Sequence, residues 1–217
     1  MSTVLIHPAY FGPVSQYAVI SQYDKIVFEN EDNYQKQTHR NRMYIYDANG
    51  KLLLNIPIKH KSTLTERNSD GHQRYKDVLI DNSFEWQKQH WRALKASYQT
   101  SPFFEFYEDE LIPLYENQYE YLMEFNYECQ NFVFDALGIE PDITKTEEYF
   151  RHPKEMHNGR HLIAAKNNFN FDSERYAQVF EPKHGFINNL SILDLIFNLG
   201  PQSLEFLENQ KLPDFTF

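Results

Sequence analysis

Two polar segments of the N-terminal half hold the residues best suited to chemistry. The first is His7-Pro8-Ala9-Tyr10-Phe11-Gly12. The second is Asn33-Tyr34-Gln35-Lys36-Gln37-Thr38-His39-Arg40-Asn41-Arg42, within a loop spanning residues 29 to 42. Lys36, Arg40 and Arg42 are cations suited to phosphate or carboxylate, Arg through its planar fork and Lys as a point charge. His7 and His39 are the candidates for moving a proton, because imidazole titrates near neutrality. Tyr10 and Tyr34 offer rings and hydroxyls to a ligand. The competing reading makes the cations surface partners of Glu29, Glu31 and Asp32, an arrangement that carries little energy in water.

These segments need elements that bring them together. Thr3-Val4-Leu5-Ile6 predicts a short buried strand. Pro13 suits the first turn of a helix carrying Val14, Tyr17, Ala18 and Ser21, and Lys25-Ile26-Val27-Phe28 predicts the next strand. A strand, helix and strand in such compass form a βαβ unit, which crosses over right-handed and pairs its strands in parallel. Ligands bind at the carboxyl ends of such strands, where both polar segments begin, and the first also leads into a helix N-terminus that favours an anion.

Further along, Met43 to Asp47 and Leu52 to Ile58 predict a hairpin closed by Asn49-Gly50 in a type I′ turn. Residues 61 to 75, centred on Asn68-Ser69-Asp70-Gly71, read as a mobile loop, and Asp77 to Ile80 as a returning strand. A helix starts near Asn82 or Ser83, capped by Asn82 with Glu85, and runs to about Tyr98. Wound at 100° per residue, it puts Trp86, His90, Trp91, Leu94 and Tyr98 on one arc, with Lys88, Arg92 and Lys95 opposite. His90 is therefore either a hydrogen-bonded core residue or a ligand contact. Ser101-Pro102 breaks the chain before a mainly helical stretch from Phe103 to Leu137 stopped by Gly138, whose inward stripe holds Leu122, Phe125, Cys129, Phe132 and Ala136. Residues 140 to 190 read as short strands with loops. Ser191 and Asp194 offer a capping box to a last apolar helix, ended by Gly200-Pro201 and followed by a short helix through Leu207.

The fold expected is thus α/β: an N-terminal βαβ unit with a mixed sheet, a β-hairpin, and a mainly helical middle and C-terminal part. Residues 1 to 217 show no internal repeat or linker and read as one domain. With 18 Phe and 15 Tyr, large rings must supply much of the packing. The single Cys129 allows no internal disulfide and suits a cytoplasmic protein, and no segment is apolar enough to predict a membrane span.

Net charge is -10 but unevenly placed: eleven acidic residues and no Lys or Arg lie between Ala96 and Thr144. That acidity disfavours nucleic acid, whose phosphates need cations. Glu116, Glu120, Glu124 and Glu128 recur at four-residue steps, either as a solvated face or as one that meets cations of the N-terminal half, within a subunit or across a homodimer. His152, His157 and His161 do not form a metal motif, since Gly159 interrupts them and no Glu follows His157. No phosphate-loop or dinucleotide glycine pattern is present.

In combination, the N-terminal loop, the Asn33 to Arg42 run, the Trp86 to Phe104 segment and Asn189-Leu190-Ser191-Ile192-Leu193-Asp194-Leu195-Ile196-Phe197-Asn198-Leu199-Gly200 resemble the WbqC-like protein family. The resemblance implies a bacterial cytoplasmic protein encoded with surface-polysaccharide and O-antigen genes. It carries over no catalytic residues and no cofactor. The expectation is a transferase acting on a nucleotide sugar or activated acyl donor, with Lys36, Arg40 and Arg42 holding its anionic part, His7 or His39 moving a proton, and Tyr10, Tyr34 and His90 contacting the ligand. The rival expectation is a non-catalytic assembly or ligand-sensing protein. The first loop also resembles that of nucleotidyl-transferring folds, but the second His of their His-x-Gly-His motif is absent.

Overall fold

The computed structural model describes residues 2–59, 72–165 and 171–212. Strand β1 (Thr3–Ile6), helix α1 (Val14–Gln22) and strand β2 (Lys25–Phe28) form the expected βαβ unit. β1 and β2 pair in parallel, with Thr3 opposite Lys25 and Ile6 opposite Phe28. Pro13 caps α1 in an extended conformation. Beyond β2 pairs β5 (Asp142–Lys145), beyond β1 pairs β6 (His157–Asn158), and both additions are parallel, giving the order β5-β2-β1-β6. β5 is exposed at every residue, as befits a short polar edge strand.

The antiparallel pairing sits in a second sheet, the hairpin of β3 (Arg42–Asp47) and β4 (Gly50–Asn55). Asp47 lies opposite Gly50, so the connecting residues are Ala48 and Asn49 rather than Asn49 and Gly50. A type I′ turn needs positive φ at both central residues. Here only Gly50 has it, at 106°, while the Asp47 carboxylate accepts the Asn49 N–H at 2.7 Å and shapes the reversal one residue earlier.

The expected loop over 61 to 75 falls mostly outside the described residues. Within them, Tyr75–Asp77 is a helical turn instead of the start of a strand, and Leu79 and Ile80 make only isolated bridges to Tyr121 and Ile58. Helix α2 (Trp86–Tyr98) begins later than the Asn82 cap predicts. Asn82 is occupied elsewhere, donating to the Tyr119 carbonyl and accepting from the Trp86 indole. α3 (Phe104–Glu116) and α4 (Leu122–Leu137) fill the helical stretch, and Gly138 ends α4 with the left-handed φ of 68° that glycine tolerates.

The C-terminal part contributes the short α5 (Glu181–His184), then α6 (Ile192–Leu199) and α7 (Ser203–Glu208), of which α6 and α7 pack against α1. Ser191 caps α6 as predicted, accepting from the Leu193 N–H. Asp194 does not complete the box. Its buried carboxylate accepts from the Tyr98 and Tyr176 hydroxyls and the Gln178 amide, at 2.7 to 2.9 Å, and so ties residues 176 to 178 to α2 and α6. Burial pushes its pKa above the ordinary carboxylate value.

Candidate functional site

Each strand of the parallel sheet delivers a polar residue just beyond its carboxyl end: His7 after β1, Glu29 after β2, Thr146 after β5 and Arg160 after β6. The ladder continues through them, since the N–H groups of Glu29, Thr146 and Gly159 donate to the carbonyls of Ile6, Phe28 and Leu5 at 2.8 to 2.9 Å. Gly159 is required for this approach, because a Cβ there would stand 2.9 Å from the Ile6 side chain. The wholly buried Glu29 carboxylate accepts from the Thr146 hydroxyl at 2.8 Å, the Glu31 N–H at 2.9 Å and the Arg160 guanidinium at 3.3 Å.

Beside it lies a second buried group. Arg40 is 1 % exposed, and its Nη2 donates to Asp32 Oδ2 at 3.0 Å and lies 2.9 Å from His7 Nε2. The guanidinium also lies 5.1 Å from the centre of the Tyr75 ring. Burial, seconded by the Arg40 charge, lowers the His7 pKa to about 3 against the opposing pull of Asp32. The ring is therefore neutral at pH 7, and its 3.2 Å approach to Asp32 is not an ion pair. Burial works to raise Asp32, but its interactions with His7 and Arg40 outweigh that and hold it below the usual value.

The first loop is fixed at almost every carbonyl. Gln16 donates to His7, Tyr75 to Pro8, Gln130 to Ala9, Ser191 to Phe11 and the Ile192 N–H to Gly12, at 2.8 to 3.1 Å. The Tyr10 N–H donates to the His39 carbonyl at 2.9 Å, joining the loop to the second one. Asn126 of α4 donates to the Arg40 carbonyl at 2.7 Å. Phe11 is held at φ 40°, a strained value for a non-glycine residue that such over-determination can maintain.

The candidate residues divide. His7 and Arg40 meet, and Tyr34 stands near them: burial raises its phenol, while the charges of Arg42 and Arg40 pull it back. Arg42 is half-buried at the start of β3, and Lys36 is exposed. His39 is turned away, edge-on to Tyr44 at 5.8 Å, with Nδ1 unpartnered among the described residues; burial and then Lys51 lower its pKa to about 4. Tyr10 and His90 belong to the core instead. The Tyr10 hydroxyl contacts His90 Nδ1 at 2.8 Å and the Tyr115 hydroxyl at 2.9 Å, and burial lowers His90 to about 4.

Two expectations about charge are corrected. Arg40 is not a surface cation, because Tyr75 and Asn126 close over it from distant segments. The four-step glutamate stripe is not one helix face: Glu116 ends α3, Glu120 lies in the connection, and only Glu124 and Glu128 are on α4. All four are exposed, and none forms an ion pair among the described residues. Sequence reasoning missed Thr146, Arg160, Tyr75, Asn126 and Gln130 as site residues. It noticed Glu29 and Asp32 only as surface partners, although Glu29 follows β2 just as His7 follows β1. Among the described residues, no three His, Cys, Asp or Glu side chains are grouped to hold a metal ion, and no helix is long and apolar enough to cross a membrane.

An uncharacterised protein of Mycobacterium tuberculosis is 26 % identical to this chain over 215 aligned positions, covering 87 % of the chain and 90 % of that protein. No solved structure matches the chain. The model of the WbqC-like protein family matches residues 8–171, which take in the second loop, the hairpin, α2 to α4 and the Glu29, Thr146 and Arg160 strand ends, and the chain belongs to that family.

Proposed function

We propose that this protein is a transferase of bacterial surface-polysaccharide assembly, working in the cytoplasm on an activated sugar or acyl donor whose anionic part docks at the carboxyl edge of the parallel sheet. The observation that carries this reading is the buried His7, Asp32 and Arg40 group at that edge. Sealed charges cost stability unless well paired, and the rigid loop around them keeps them in one geometry.

The electrostatics supply a role for the anion. Buried and beside the Arg40 charge, His7 is too weak a base to take a proton at neutral pH. A phosphate or carboxylate that draws Arg40 onto itself would remove a charge that repels the proton. Lys36 and Arg42 would attract the ligand, and Tyr34 would flank it. His7 would then accept a proton from the attacking group.

The experiment is a thermal-shift panel of nucleotides, nucleotide sugars and acyl donors, followed by turnover assays with any binder. Ligand at 100 times its dissociation constant stabilises the native state by about 2.7 kcal/mol, or roughly 5 to 10 °C for a chain of this size. Replacing Lys36 and Arg42 by Ala should remove the shift and leave the unliganded melting point nearly unchanged. His7→Asn should keep the shift and abolish product. No shift with any anionic donor would refute the proposal.

One observation favours a second reading, a ligand sensor without catalysis: His7 and Arg40 already contact one another and Asp32 in the absence of ligand. A sensor would keep the shift but make no product from any donor.

A further inference from the structure

His39, turned away from the sheet edge, has charged surroundings of its own. Arg42 and Tyr44 stand two residues apart on β3 and share one face of the hairpin, and Lys51, opposite Tyr46 on β4, puts its side chain on that same face. The other face carries Met43 and Ile45 into the core. The Lys51 ammonium lies 4.3 Å from the centre of the Tyr44 ring, and the His39 ring meets the same tyrosine edge-on at 5.8 Å. Solvent reaches this face, since Leu53, opposite Tyr44, is 42 % exposed.

The charge gathered here is of one sign. Neither Arg42 nor Lys51 forms an ion pair among the described residues. Burial and then the Lys51 charge lower His39, with the Arg42 charge adding to them and only the Arg42 carbonyl opposing; no carboxylate acts on the ring. Burial also lowers Lys51, and nothing offsets it. His39 is 6 % exposed, and both its Nδ1 and the sealed Nε of Arg42 lack a hydrogen-bond partner among the described residues. Buried polar atoms are nearly always hydrogen-bonded, so two such atoms beside two unpaired cations point to a negatively charged partner.

We propose that the outer face of the hairpin binds a phosphate group between the Lys51 ammonium and the Arg42 guanidinium, with His39 beside it. Two cations match the charge of a phosphate dianion, and guanidinium and ammonium are the side-chain groups that bind it best. An anion next to the imidazole favours its protonated form, which adds a third positive charge. Arg42 is shared with the sheet edge, but Lys51, Tyr44 and His39 take no part there, so the subsite stands whatever that edge binds.

The test follows the His39 imidazole of the full chain by NMR, assigned with His39→Gln, as sodium phosphate is added against sodium chloride of equal ionic strength. Phosphate should shift the His39 signals saturably, and at saturation the pKa should rise from about 4 by about 1 to 3 units. Acetate, with half the charge, should bind roughly tenfold more weakly. Lys51→Met, at an exposed position, should weaken phosphate several-fold; without ligand it should itself raise the His39 pKa, because Lys51 is the largest influence after burial that lowers it. The readout is a single imidazole rather than a melting temperature or a turnover, so its result is separate from that of the donor panel. No saturable shift at tens of millimolar phosphate, equal binding of acetate, or a response indifferent to Lys51→Met would overturn the proposal.

Discussion

Replacing Asp32 by Asn should cost this fold several kcal/mol although the two side chains have nearly the same shape. Arg40 is 1 % exposed and sits 3.0 Å from the Asp32 carboxylate. No other anion is free to replace it, because Glu29 is committed to Arg160, Thr146 and the Glu31 N–H, and His7 is neutral. At an effective dielectric of 20, unit charges at this distance attract by about 5 to 6 kcal/mol. Breaking a buried pair by removing one member costs about 3 to 5 kcal/mol, because the other charge is left without a partner. For a chain of this length, that lowers the melting temperature by roughly 6 to 20 °C.

Urea unfolding of the wild type, Asp32→Asn, Arg40→Met and the double variant measures this directly. The double variant should recover most of the loss, since removing both charges also removes their desolvation cost. A single Asp32→Asn loss below about 1 kcal/mol would refute the reasoning, because a hydrated surface pair behaves in that way. Arg40→Met also has a spectroscopic signature: the second-largest influence lowering His7 disappears while Asp32 remains, so an NMR titration should find its pKa well above about 3.

Acid should destabilise the protein before its carboxylates titrate. His7, His39 and His90 have folded pKa values of about 3, 4 and 4, below the ordinary 6.5, so between those limits the unfolded chain binds more protons than the native one. Their contribution is complete above pH 6.5 and is lost as pH falls towards 4, by about 1.4 kcal/mol per pH unit for each ring. Urea midpoints from pH 7.5 to 4.5 should show this, and His90→Gln should flatten the slope by about one third; a slope unchanged by it would count against a buried neutral ring. Asp194, with its raised pKa, acts in the opposite sense. Gly138→Ala should cost about 1 kcal/mol through its left-handed backbone alone, as nothing lies within 4 Å of the added methyl. Gly200→Ala should cost about 2 to 4 kcal/mol, because its methyl would stand 2.5 Å from the Phe103 ring, and equal melting points for the two variants would contradict that packing. Tyr176→Phe should cost about 1 to 3 kcal/mol by removing one donor from the buried Asp194 carboxylate, readable by the same unfolding assay.

The N-terminal half of the sheet was legible because the Val4 to Ile6 and Ile26 to Phe28 runs are apolar, bounded and joined by one helix, and the crossover rule then dictates parallel pairing. The outer strands were not. β5 has one apolar side chain, Ile143, among exposed polar neighbours, and β6 is two residues long, so both exist through backbone pairing that leaves no pattern in residue type. Thr146 and Arg160, which those strands position, were invisible for the same reason. Tyr10 and His90 illustrate a different limit. The helical period shows which face His90 occupies, but only packing of α2 onto the first loop shows that the facing partner is the Tyr10 hydroxyl.

The second loop joins both lessons. Its donors from Asn33 to Arg42 are legible as a string, and an extended chain would place Lys36, Thr38 and Arg40 on one side, since side chains alternate. The structure separates them: Lys36 is exposed, while Thr38 and Arg40 are buried, only 4 % and 1 % exposed. Gln37 stands between them at φ 63°, a left-handed value that breaks the alternation. The Thr38 hydroxyl donates back to the Gln35 carbonyl at 2.9 Å, closing the turn. One backbone reversal thus sorts three alternate cation and hydroxyl positions into a sealed pair near His7 and an outward ammonium. That division is why Lys36 is expected to govern ligand capture, and Arg40 both the stability of the native state and the basicity of His7.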